Sequence, residues 1–198
     1  MKNTFSLFKN LSGYKIILAS KSPRRKQLLE GLGISFEVKT KNVDESFPLH
    51  LKREAIPIFL SQKKAEAFKK EIKKNTIVIT ADTIVWLNNM AVNKPANRNQ
   101  AIGMLKNLSG NKHSVYTSVC ITSPKKSICF FDKTEVYFKK LSEEEIHYYV
   151  DIYKPFDKAG AYGAQEFIGF VAIEKITGSY FNVMGLPVHK VYEALRDF

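Results

Sequence analysis

Two hydroxyls and three cations crowd one short part of the chain. Residues 16–33 read I-I-L-A-S-K-S-P-R-R-K-Q-L-L-E-G-L-G, which places Ser20, Lys21, Ser22, Arg24 and Arg25 around Pro23. Pro23 fixes φ and suits a first helical position, with Ser22 as the N-cap. Unpaired N–H groups at such a helix start, joined by hydroxyls and cations, attract an anion, above all a phosphate. Serine caps and basic first turns also occur without any ligand. Yet arginines there oppose the helix dipole, at roughly a few tenths of a kcal/mol each. Their placement asks for another use.

Asp82 is the second focus. It stands in T-I-V-I-T-A-D-T-I-V-W (76–86), the most apolar run of the chain. A carboxylate there is costly unless a cation or metal partners it, which points to function. The alternative is a strand-end Asp that caps a local turn. Asp44 and Glu45 lie in the loop N-V-D-E-S-F-P. They read equally well as solvated acids or, with Asp82, as ligands for Mg²⁺, which needs only one or two carboxylates plus substrate oxygens.

Lys94 and Lys158 lie in loops, as phosphate contacts or as plain surface charge. Gln165 ends a small-residue loop, where its amide offers a donor and an acceptor to a base edge or simply faces solvent. His50, His113, His147 and His189 have no zinc spacing. No nucleophile elbow, P-loop or dinucleotide fingerprint is present.

These residues need a scaffold. Residues 16–18, the helix from Pro23 and an alternating strand at 35–40 form a β-α-β unit, with Gly33 closing the helix. A second helix runs to about Lys74, with Pro57 in its first turn. The run 76–86 is a central strand buried on both faces. Asn88-Asn89 turns the chain, and 90–95 leads away. Asn97 and Gln100 form a capping-box pattern for a helix ending at Gly110. Residues 114–122 and 128–138 form a hairpin around Pro124, with Val115, Thr117, Val119 and Ile121 on one side. Ser142 with Glu145 caps a helix that stops before Pro155. Residues 170–176 and 180–184 read as short strands, and a terminal helix follows. The fold class is α/β, a mixed β-sheet with flanking helices. Residues 1–13 form a loose N-terminal extension, and 14–198 form one domain.

The 198 residues are ample for a core. The formal charge of +12 favours polyanionic ligands. Cys120 and Cys129, nine apart without a C-x-x-C pattern, read as two reduced core thiols. No signal peptide pattern or membrane-spanning run is evident, so the expected compartment is the cytoplasm, with no membrane partner.

Several segments together carry a resemblance. L-A-S-K-S-P-R-R (18–25), the pair Asp44-Glu45, K-A (64–65), A-D-T-I-V (81–85), N-K-P (93–95), D-K-A-G-A-Y-G-A-Q (157–165) and G-S-Y-F-N-V-M-G-L-P (178–187) come in the order seen in the Maf family. The chain resembles these nucleoside triphosphate pyrophosphatases, once named for septum formation. The resemblance implies an elongated two-lobed fold with a central cleft, akin to the inosine triphosphate pyrophosphatases. It implies hydrolysis of a nucleoside triphosphate to monophosphate and pyrophosphate with a divalent cation, Mg²⁺ or Mn²⁺. Asp82 stands where the family has its catalytic proton acceptor. Arg24, Thr83 and Gln165 stand where the family sorts substrates, and this trio is similar to the subgroup acting on dTTP and UTP. Three positions depart from the family pattern: Asn93 replaces a usual Gly, Ser118 a usual Gly, and Glu166 a common Gly.

The expected site follows. Ser20, Ser22, Arg24 and Arg25, with Lys64, Lys94 and Lys158, hold the triphosphate. Glu45 and Asp82 hold the metal, Asp82 activates water, and Gln165 reads the pyrimidine. A rival reading is a non-catalytic nucleic-acid-binding regulator of cell division, which no DNA-binding motif supports. A purine triphosphate sanitiser of the ITP/XTP type is a third. A homodimer is one assembly open to the chain.

Overall fold

The computed structural model describes residues 6–198. Seven strands form one mixed sheet in the order β2-β1-β3-β5-β6-β7, with β4 paired to β3. β1 (Lys15–Leu18), α1 (Pro23–Glu30) and β2 (Glu37–Val38) make the expected β-α-β unit. Both β2 and β3 (Thr76–Leu87) run parallel to β1. β2 is shorter than its alternating sequence suggests. Gly33 takes φ +70° beyond the helix, while Gly31 is the residue that ends it.

α2 (Ala55–Ala67) stops earlier than the lysine-rich pattern indicates and passes into a 3₁₀ turn at Lys69–Glu71. β3 is buried almost throughout, as its β-branched run requires. Asn88 and Asn89 both adopt positive φ. That is the geometry of a two-residue hairpin, so β4 (Met90–Val92) folds back antiparallel onto β3, with Leu87 opposite Met90. The expectation that these residues lead away from the strand is corrected.

α3 (Arg98–Leu108) starts at Asn97, whose side chain accepts from Gln100 N at 3.0 Å. β5 (Lys112–Thr122) and β6 (Ser127–Phe138) form the hairpin. β5 is buried on both faces, not on one. α4 (Glu143–Tyr153) carries a complete Ser142/Glu145 capping box. The next two elements differ from the strands expected. α5 (Phe167–Ala172) is a helix that leads into β7 (Ile173–Thr177). α6 (Tyr180–Val183) is a helix with Ser179 as its N-cap, accepting from Asn182 N at 3.4 Å. Short apolar runs fit either form, and the Ser179 cap decides this one. α7 is Val188–Arg196.

Residues 1–5 of the expected loose extension lie outside the described residues. The rest is packed: a 3₁₀ stretch at Ser6–Leu11 buries Phe8 and Leu11, and the Phe8 ring meets Tyr192 at 5.5 Å.

The chain divides into two compact units, and the division falls in β3 between Asp82 and Thr83. Among the described residues, the first unit holds 6–82, 117–131 and 185–198. Its core gathers Leu18, Leu29, Ile79, Val119, Leu186 and Val191. The second holds residues 83–116 and 132–184, around Val85, Leu105, Val136, Tyr149 and Ile168. There His113 is buried, bonded through Nε2 to Tyr162 Oη at 2.8 Å, and burial pushes its imidazole down to about 3.

The two cysteines correct another expectation. They form a disulfide, with Cα atoms 4.2 Å apart. The hairpin register is the reason. Ser123 N bonds to Lys126 O at 2.8 Å, and the Thr122 and Ser127 hydroxyls meet at 3.0 Å. Counting outward from that turn sets Cys120 directly opposite Cys129.

Candidate active site

The anion-binding stretch folds as its residues dictate. Ser22 caps α1 by accepting from Arg25 N at 3.4 Å, and Ser22 N donates to Ser20 Oγ at 3.2 Å. Ser20 is buried, while Ser22 and Arg24 are half-buried in the first turn. Arg25 turns back under the helix start. Its Nε donates to Gly185 O at 2.8 Å, and its Nη1 donates to Ala81 O at 3.0 Å and Ser20 Oγ at 3.4 Å. The guanidinium therefore ties α1, the residue before Asp82 and the 185 turn together. Arginine suits that task because its planar fork reaches several acceptors at once.

Asp82 lies inside β3 and is 7% exposed, so it is not a turn cap at a strand end. Its partner is Lys64 on α2. Lys64 Nζ lies 2.5 Å from Asp82 Oδ1 and 2.9 Å from Glu45 Oε1. Two tethers place that lysine. Thr80 Oγ1 donates to Ser61 O at 2.8 Å, which fixes α2 on β3 one turn before Lys64. Lys63 Nζ holds Asp44 Oδ2 at 3.0 Å and Ser46 O at 3.3 Å, which brings the neighbouring Glu45 to Lys64. Asp44 itself accepts from Ser46 and Lys63 and so braces the loop.

Burial pushes the Asp82 carboxyl above the ordinary carboxylate range, and Lys64 and Arg25 pull it back. A carboxyl raised by burial and faced by cations is a better proton acceptor than a free one. Among the described residues, no group of three or more His, Cys, Asp and Glu gathers for a metal. Glu45 and Asp82 nevertheless converge on one cationic point, and two carboxylates plus substrate oxygens satisfy Mg²⁺. The residues fit such an ion.

The remaining predicted residues belong to the second unit. Thr83 is half-buried and Lys94 exposed. Asn93 O accepts from Gly160 N at 3.2 Å, which ties the Lys94 loop to the Lys158 loop. Gly160 takes φ +71°, and a Cβ there would meet Val85 at 2.8 Å. Only glycine fits that position. Lys158 is not surface charge: it is 7% exposed, with Nζ 2.8 Å from Asp157 Oδ1 and 3.2 Å from Glu166 Oε1. Gln165 is half-buried, and its Oε1 is buried without a hydrogen-bond partner among the described residues.

Tyr149 and the acid Glu166 were not among the predicted site residues. Tyr149 Oη donates to Glu166 Oε2 and accepts from Gly163 N. The only signal in the sequence was that Glu166 departs from the glycine common in similar chains.

Comparisons with known proteins bear on the family of the chain. The dTTP/UTP pyrophosphatase of Bacteroides fragilis is 53% identical over 189 residues, covering 95% of this chain and 98% of its own. That of Flavobacterium johnsoniae is 51% identical over 189 residues, covering 96% and 97%. Among solved structures, the Staphylococcus aureus Ham1 protein is similar at 16% identity, covering 63% of this chain and 71% of its own at a TM-score of 0.46, too slight a likeness to assign a fold. The profile of the family described as Maf-like protein matches residues 15–198. With nearly its whole length matched by that profile and by relatives of about half identity, the chain belongs to the Maf family.

Proposed function

We propose that the protein hydrolyses dTTP and UTP to the nucleoside monophosphate and pyrophosphate. Relatives covered almost end to end carry the name dTTP/UTP pyrophosphatase. The observation that carries the chemistry is the buried Asp82 carboxylate held by Lys64. Asp82 takes a proton from water as the oxygen attacks the α-phosphorus. The bond from that phosphorus to the bridging oxygen breaks, and its electrons leave with pyrophosphate.

In the first unit, Ser20, Ser22, Arg24 and Lys64 meet the triphosphate, and Arg25 adds charge while it holds the backbone. The second unit, taken by itself, offers Lys94 and Lys158 as cations for phosphate. Glu45 and Asp82 would hold Mg²⁺ or Mn²⁺, which supplies charge neutralisation to the phosphate oxygens.

Arg24, Thr83 and Gln165 sort the substrate. The unpartnered Gln165 Oε1 supports the pyrimidine reading. Thymine and uracil present an N3–H donor to such an acceptor, whereas cytosine presents a bare ring nitrogen there. A buried acceptor left unmet costs about 1–3 kcal/mol, enough to discriminate between bases.

The cytoplasm is the compartment this reading assigns to the protein. No helix among the described residues is long and apolar enough to cross a membrane.

The test is a panel of dTTP, UTP, dCTP, dATP, dGTP and ITP with Mg²⁺ and product analysis. The expected result is pyrophosphate and monophosphate, fastest from dTTP and UTP. Orthophosphate with a diphosphate, or a preference for ITP, would overturn it.

A further inference from the structure

Glu166 occupies the N-cap position of α5, yet its side chain caps nothing there. A residue serving the helix would turn forward to the N–H groups of the first turn. Glu166 turns backward. One carboxylate oxygen accepts from Tyr149 Oη, and the other faces Lys158 Nζ at 3.2 Å. Tyr149 is fully buried and its Oη also accepts from Gly163 N at 3.0 Å. Lys158 in turn holds Asp157 Oδ1 at 2.8 Å. Tyr149 thus holds the middle of the loop 157–166 directly through Gly163, and its start and end through the Glu166 carboxylate. Gly163 leaves room for this, because a Cβ there would lie 2.8 Å from the Glu166 carboxyl carbon. The phenol keeps its proton, since burial and the neighbouring carboxylate both push it above the usual tyrosine range.

We infer that Glu166 is a positioning residue: with Tyr149 it holds Lys158 and the adjoining Gln165 in the arrangement that receives the substrate. The inference rests on the function proposed above and names the device that sets base preference within it. Gln165 is the next residue in the chain, and its buried Oε1 can be offered in one direction only while the loop is held. Without Glu166 the Tyr149 hydroxyl loses its acceptor and Lys158 loses one of its two anionic partners.

The experiment compares wild type, Glu166→Ala, Glu166→Gln and Tyr149→Phe. Steady-state rates on dTTP and dCTP are measured with melting temperatures, and Lys158 acylation by acetic anhydride is followed by mass spectrometry. Glu166→Ala is expected to raise KM for dTTP about tenfold with kcat within about twofold, and to lower the preference for dTTP over dCTP. Glu166→Gln keeps a partner for Tyr149 and should recover part of the loss. Lys158 should acylate faster in Glu166→Ala than in wild type. If Glu166→Ala does not fold, Tyr149→Phe carries the same expectation with a smaller change. KM, preference and acylation all unchanged in a folded variant would overturn the inference, as would a lowered melting temperature with no change in those three. A wild type that cleaves no pyrimidine triphosphate overturns the proposed function instead. The acylation comparison then still decides whether Glu166 holds Lys158.

Discussion

Lys64 on α2 reaches Asp82 on β3 at 2.5 Å and holds Glu45 at 2.9 Å with the same ammonium. One cation therefore keeps two carboxylates together before any substrate arrives. It also opposes the burial that raises the Asp82 carboxyl.

Replacing Asp82 by Asn keeps the shape of the side chain and removes its basicity. The rate of pyrophosphate release from dTTP should fall by about 10²–10⁴-fold, the usual worth of a general base. The protein should remain folded, because Asn fills the same space and Lys64 retains Glu45 as a partner. Initial rates beside a melting curve check both statements, and undiminished release would strip Asp82 of its role.

The pH profile follows from the raised Asp82 carboxyl. Activity needs the ionised form, so kcat/KM should climb with pH through a value above the ordinary 3.8. Stability runs the other way. Between 3.8 and the raised value the folded protein keeps a proton that the unfolded chain has released. The contribution of Asp82 to stability is thus complete below 3.8 and is lost as pH rises through the raised value. Lys64→Met removes the charge that opposes burial and should move the acidic limb of kcat/KM to higher pH. A limb left in place would mean that Lys64 does not govern Asp82.

Glu45→Gln tests the metal assignment. A chelator should stop pyrophosphate release, and Mg²⁺ should restore it. The variant should need about tenfold more Mg²⁺ for half-maximal rate, as is typical when a group supporting a metal is weakened. Release that persists in excess chelator would remove the metal from the reaction.

The Cys120–Cys129 bond closes a short loop across the β5–β6 hairpin. Reduction should lower the unfolding free energy by about 2–3 kcal/mol on loop-closure grounds. Denaturant titrations with and without dithiothreitol measure this, and Cys129→Ser repeats it at the exposed member of the pair. Two free thiols titrated in protein denatured without reductant would refute the pairing.

The local grammar of this fold was legible in the chain. Ser22-Pro23 starts α1, Ser142 with Glu145 starts α4, and the β-branched run over 76–86 makes the buried strand. Each depends on a few neighbouring residues, whose φ preferences and side-chain caps act without help from the rest of the chain. The hydroxyls and cations around Pro23 pointed to an anion on the same local terms, while the role of Asp82 in nucleotide hydrolysis came from the resemblance carried by the ordered motifs. The partners of those residues were decided only in three dimensions. Nothing near position 82 in the sequence says that Lys64 and Glu45 meet there. Their meeting depends on α2 docking through Thr80 and on Lys63 drawing in the Asp44 loop. Arg25 turns to backbone carbonyls because Gly185 and Ala81 are folded beneath it. The disulfide depends on a hairpin register set by its turn. α5 and α6 are helices where their short apolar runs allowed strands. The chain specifies its caps, turns and buried runs by itself. Pairings between distant segments wait for packing, because they are held by contacts that exist only once the elements have met.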